Sequence, residues 1–138
     1  MIETTLVDAW LYTKLSGDAT ITGLVAARIY GYTAPPVPTF PYIIFNLQVG
    51  ADVSAVGGYR IFNSGGYQVK AVAQSTSAAT AKAIADRIDT VLQRAYGTVT
   101  GGYVLGCVRE QTLVYVEITN GIQYRNLGGL YRIVVQGS

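Results

Sequence analysis

Two long strand segments, about Tyr103 to Ile118 and Ile122 to Gln136, end the chain and meet at Asn120-Gly121. A two-residue type I′ turn needs positive φ at both central positions, which asparagine and glycine accept most readily. The end of the chain is therefore committed to one long antiparallel hairpin. In its register Gly128-Gly129 fall opposite Leu113 and Thr112, where a bulge or a sharp twist is expected. Any fold for this sequence has to cover one face of that hairpin.

The cover is written earlier. Leu6, Val7, Trp10, Leu11 and Leu15 recur at helical spacing between Thr4 and Leu15, with Lys14 near the end that the helix dipole favours for a cation. Ser16-Gly17 stops this helix, and Asp18 is placed to cap a short second one running to about Leu24. Arg28 to Tyr30 reads as a brief strand. Thr33 to Pro41 holds all four prolines and reads as a stiff extended connector into an edge strand. From Tyr42 to Val49 the chain alternates, which predicts a strand with Ile43, Phe45, Leu47 and Val49 facing the core. Gly50 to Gly66 carries Gly57-Gly58 and Asn63-Ser64-Gly65-Gly66 and reads as either an ordered hairpin or a mobile loop. Tyr67 to Ala73 alternates again. Ser75-Thr76-Ser77 supplies cap candidates for the longest helix, about Ala78 to Tyr96, with Ala81, Ile84, Ile88, Val91, Leu92 and Ala95 inward and Lys82, Asp86, Asp89 and Gln93 outward. Gly97 to Gly102 breaks it. The sum is an α+β fold, a mainly antiparallel sheet with helices packed on one face and a long C-terminal β-hairpin. At 138 residues it reads as a single domain over 1–138.

Catalytic chemistry has little to work with in this composition. The chain contains no histidine and one cysteine, so it offers no Ser-His or Cys-His pair, no histidine-containing zinc site and no thiolate cluster within one chain. Cys107 reads as a buried, inert thiol. Asp86 and Asp89, three apart on a helix, read as a solvated polar face rather than a metal or acid-base pair. The glycine pairs fit no phosphate-binding motif and read as turns. No catalytic residue, cofactor or metal is expected, and the expectation is that the chain is not an enzyme. Its ten basic residues are scattered and its net charge is only +2, so no nucleic-acid-binding run stands out. The N-terminal residues read as neither a signal peptide nor a membrane span.

Half of the residues are apolar, eleven are tyrosine and 13% are charged, about half the usual charged share. Part of that apolar excess is expected on a surface covered in the working state, and tyrosine suits interfaces that are apolar on one side and wet on the other. Tyr42 beside the proline connector, Val53, Val56, Tyr59 and Phe62 in the glycine-rich stretch, and Tyr115, Tyr124 and Tyr131 on the terminal hairpin are the candidate protein-interface residues.

The Ile2-Glu-Thr-Thr-Leu-Val opening, Arg28-Ile-Tyr, Ala34-Pro-Pro with Phe40-Pro-Tyr-Ile-Ile-Phe45, Tyr67-Gln-Val-Lys-Ala-Val-Ala, the alanine-rich helix and the closing Tyr131-Arg-Ile-Val-Val together resemble the tail-completion, or tail-terminator, family of long-tailed bacteriophages. The resemblance spans nearly the whole chain. It implies a homo-oligomeric ring, usually a hexamer, that sits on the finished tail tube, stops its polymerisation and meets the head-side connector. It also implies a virion location at the neck, assembly in the host cytoplasm, and DNA passing through the lumen without sequence-specific binding; no membrane partner is expected. Weak basicity suits such a channel, because DNA that must pass should not be gripped by its phosphates. Two other readings remain open: another head-tail joining or tube protein, and a small-molecule-binding regulatory domain, which fold analogy alone does not separate from the first.

Overall fold

The structure is a computed structural model and describes residues 2–58, 60–74 and 78–137. The described residues form α1 (Ile2–Ser16), α2 (Ala19–Val25), β1 (Ile29–Gly31), β2 (Tyr42–Ser54), β3 (Arg60–Gln74), α3 (Ala79–Leu92), β4 (Gly97–Val99), β5 (Gly102–Thr119) and β6 (Ile122–Gly137). The strands make one sheet in the order β1-β2-β3-β6-β5-β4, antiparallel throughout except for the β1–β2 pair. Helices cover one face of it, as the α+β reading expects. No described helix is long and apolar enough to cross a membrane.

The apolar stripe of α1 is buried, with Val7, Leu11 and Leu15 fully inaccessible. Asp18 then does two jobs. Its carboxylate accepts the Ile21 backbone N–H at 3.0 Å, capping α2, and also takes the Arg87 guanidinium of α3 at 2.9 and 2.7 Å. Arg28 Nε donates to the Pro41 carbonyl at 2.8 Å, which fixes the end of the proline connector beside the strand that precedes it. The Phe40–Pro41 peptide is cis.

β2 and β3 form a hairpin paired from Tyr42↔Val72 to Ser54↔Arg60, so 50–54 and 60–66 are strand and the described residues 55–58 lie in the connection between them. The register slips between Leu47 and Val49. That bulge at Gln48 reverses the alternation: Ile43 and Phe45 are buried and Leu47 packs against the core, but Val49 is 67% exposed on the other face. The expectation of Val49 in the core is thereby corrected, because a period-two pattern holds only while every residue is paired.

α3 buries Ala81, Ile84, Ile88 and Leu92 and stops four residues earlier than its apolar pattern suggests. Gln93 is already extended and Arg94 sits at φ 66°, with its N–H donating to the Cys107 carbonyl at 2.7 Å. The turn out of the helix is thus held by β5, and it delivers β4, a short strand that the glycines around it concealed. Ser75, Thr76 and Ser77, the expected caps, lie outside the described residues; Ala78 occupies the N-cap position without a side-chain bond.

At the terminal hairpin Asn120 and Gly121 take φ 52° and 76°, and Gly129 and Gly128 pair with Thr112 and Leu113 in the expected register. The bulge lies in the partner strand, at Glu110, between Arg109↔Tyr131 and Gln111↔Leu130. Gly128 is needed for close approach: a Cβ there would overlap the Val69 carbonyl and the Lys70 backbone of β3. The core between sheet and helices is closed by Tyr67, Val69, Val104, Cys107, Tyr131 and Ile133.

Candidate interface surfaces

Three surfaces could carry function, and the sheet sets all of them. The first is its open edges. Among the described residues, β1 covers β2 only over Ile43–Phe45 and β4 covers β5 only over Gly102–Val104. The outer backbone of β2 from Asn46 to Ser54, and of β5 from Leu105 to Thr119, therefore has no strand beside it. Soluble proteins usually blunt such edges with lysine, proline or bulges. Neither stretch contains lysine or proline, and three large apolar residues of β5, Val114 (70% exposed), Val116 and Ile118 (67%), stand open to solvent. They pair with Leu127, Arg125 and Gln123, so the Glu110 bulge has turned them to the helix-side face, beyond the end of the helical layer.

The few charges on these strands are already engaged. Arg109 reaches Asp89 at 3.6 Å, Glu110 takes the Arg132 guanidinium at 2.9 Å, and Glu117 accepts from the buried Asn126 at 3.3 Å. Arg109 and Glu110 are thus neutralised by ion pairs, whereas Glu117 and Asp52, bonded to the neutral amides of Asn126 and Asn63, keep their negative charge.

The second surface is an aromatic cleft on the face away from the helices, about 370 Å³ in volume, lined by Phe40, Tyr42, Ile44, Lys70, Glu117 and Tyr124 among others. Phe40 stacks tilted on Tyr42 and on Tyr124 at 5.3 and 5.4 Å between centroids, and Tyr30 meets Tyr42 at 5.7 Å. The Lys70 ammonium donates to the Tyr115 hydroxyl and lies 5.0 Å from that ring's centroid. Burial, with the Glu117 carboxylate nearby, raises the Tyr42 phenol above its ordinary range. This brings together Tyr42, Tyr115 and Tyr124 from three strands. Tyr30, which flanks the proline connector, joins the same cluster, as do Phe40 and Lys70, which were not singled out from sequence; the Phe40-Pro-Tyr run beside the connector was the available signal.

The third surface is the β2–β3 hairpin end, where Val56 is wholly exposed and Val53 pairs with a half-buried Phe62. Tyr59 lies outside the described residues. Tyr131 does not belong with any of these surfaces. It is 1% exposed, packs in the core and donates to Asp89 at 3.1 Å, so its side chain points under the helices. Burial and the adjacent Asp89 carboxylate push its phenol far up.

That contact also revises Asp89. It is half-buried and holds both Tyr131 and Arg109, whereas Asp86 meets only the exposed Lys82 at 2.8 Å. The pair is not a uniform solvated face, since α3 rolls Asp89 toward β6. Cys107 is fully buried, and desolvation, with Asp89 adding to it, pushes its thiol up to about 12. A groove of about 860 Å³ beside α1 and β4 is lined by Trp10, Thr13, Lys14, Asp18, Val91 and Thr98; Asp18 there is committed to Arg87. Among the described residues no group of three or more metal-ligating side chains is found.

No match is found among curated proteins. A solved structure described as the virion of a native gene transfer agent particle contains a chain with the same fold, at TM-score 0.82 and 22% identity over 98% of both chains. The family described as Tail completion protein gp17 matches residues 9–136, nearly the full length. The chain belongs to that phage tail-completion family, the one its sequence resembles.

Proposed function

We propose that this protein is a structural component of the virion neck, forming a closed homo-oligomeric ring, six-membered by analogy with its family, at the head-proximal end of the tail. The ring caps the tail tube, ends its polymerisation and presents a surface to the head-completion or connector protein, while DNA passes through the lumen without sequence readout. The observation that carries this reading is the pair of long open sheet edges without lysine, on a family member of the tail-completion type. A ring of identical subunits gives each open edge a neighbour and leaves no free template for aggregation. The aromatic cleft around Tyr42 and the hairpin tip at Val56 are the surfaces we assign to tube and connector contacts.

The net charge of +2 agrees with a lumen that does not retain DNA. The test is mass measurement of the particle neck, or of the protein dissociated intact from it. A cyclic multimer of this chain is expected. A single copy per particle would reject the ring and favour a different tail or joining component.

A further inference from the structure

The bulges divide the open edges unequally. On β5 the register slips between Val104 and Gly106 and again between Arg109 and Gln111, after which pairing with β6 runs unbroken from Gln111 to Thr119. On β2 it slips at Leu47/Val49 and at Val53/Ser54, leaving Val49 to Val53 unbroken between the two. A bulge spoils the even row of N–H and C=O groups that a new strand needs, so among the described residues these two segments are the ones that can accept a strand over several residues. They lie on opposite edges of the sheet. A ring of more than two identical subunits requires two different, mutually complementary surfaces, one for each neighbour.

Resting on the ring reading, we propose that the subunit joint is a strand pairing between Gln111–Thr119 of β5 in one copy and Val49–Val53 of β2 in the next. The occupant of each edge is thus a second copy of this chain. The β5 segment brings Val114, Val116 and Ile118, exposed beyond its own helical layer; the β2 segment brings Val49, 67% exposed, and Val53. Val114, Val116 and Ile118 lie on the helix side and Val49 and Val53 on the opposite face, so pairing shields the flanks of both sets from water, one set on each face of the continued sheet, and the backbone pairing supplies the register. Each segment carries one charge, Glu117 and Asp52, and both are acids, so registers that set these two directly opposite are disfavoured and the joint takes one that separates them. The joint is heterologous, which lets it close a ring instead of ending at a dimer.

Disulfide trapping in assembled particles tests the pairing. Paired strands hold Cα atoms about 4.5–5.5 Å apart, within the span of a disulfide. Ala51→Cys is combined in turn with Leu113→Cys, Val114→Cys, Tyr115→Cys and Val116→Cys, which samples both faces and neighbouring registers. Cys107 stays out of the reaction because it is fully buried. The expected result for at least one combination is a ladder of covalent multimers that stops at the ring size. Dimers from Val116→Cys alone would show β5 meeting β5 and overturn the joint. A visible ring in which no combination cross-links would also overturn it while leaving the ring reading intact, and absence of any ring would remove both. Hydrogen exchange on the unmodified protein covers the case of variants that fail to assemble. Amides of 49–53 and 111–119 should slow together by tenfold or more on assembly, and unchanged rates in either segment would reject the pairing.

Discussion

The Asp18 carboxylate joins α2 to α3, accepting the Ile21 N–H at 3.0 Å and both nitrogens offered by Arg87 at 2.9 and 2.7 Å. Its hydrogen bond with Arg87, foremost, holds its carboxyl below the ordinary value. A carboxyl lowered in the folded state contributes stability that is present above about pH 4 and is lost as pH falls through the folded value. Asp18→Asn should keep most of the cap and lose the ion pair. Its urea midpoint should fall below that of wild type at pH 7, and the two should converge near pH 2. Asp8, raised by burial, acts in the opposite sense but cancels in this comparison. Asp18→Ala should cost about 1 kcal/mol or more, as loss of an N-cap does. A constant difference between wild type and Asp18→Asn from pH 7 to pH 2 would contradict the assignment.

Asp86 and Asp89 should part company under mutation. Asp89→Ala leaves the Tyr131 hydroxyl buried without its acceptor and should cost about 1–3 kcal/mol. Asp86→Ala removes only an exposed partner of Lys82 and should leave the unfolding midpoint unchanged. Equal effects in denaturant titration would mean that Asp89 does not hold Tyr131.

Gly128→Ala should destabilise by at least ~2 kcal/mol, because the added methyl meets β3 backbone and not a side chain that can turn away. Gly106→Ala, with nothing within 4 Å of the new Cβ, is the control and should be tolerated. Thermal melts of the two variants side by side check this.

Cys107 should resist thiol reagents in the folded protein at pH 8, since burial removes access and holds the thiolate back to about pH 12. Labelling should appear with the unfolding transition in urea. Rapid labelling of native protein would place Cys107 at an accessible site.

Much of this architecture was legible in the sequence where a local rule decided it. Asn120-Gly121 determined the turn, and the turn alone set Gly128 and Gly129 opposite Leu113 and Thr112. Asp18 announced its helix, and the stripes of α1 and α3 named their buried faces. What local rules could not contain was the bulges. Gln48 and Glu110 carry no bulge signature, yet the first moves Val49 out of the core and the second turns Val114, Val116 and Ile118 to the helix side. Tyr131 failed for a related reason: tyrosine on a strand suits an interface or a core, and only Asp89 on a distant helix decides which. The tyrosine count pointed to contact surfaces, but the cleft needed Phe40, Tyr42 and Tyr124 brought together from separate segments.

Val116→Lys should leave the fold within about 0.5 kcal/mol of wild type, being a solvent-exposed substitution, and should abolish incorporation into particles by blunting the β5 edge. Circular dichroism with particle counts separates the two effects. Normal incorporation would remove that edge from the assembly.

The central claim is that this chain forms a ring at the head-proximal end of the tail, and a density map of the particle neck tests it most directly. The account predicts a cyclic ring of this fold stacked on the tube end, with the β2 and β5 edges of neighbouring subunits in contact. A map showing the chain as a single copy, or absent from that end of the tail, would contradict it.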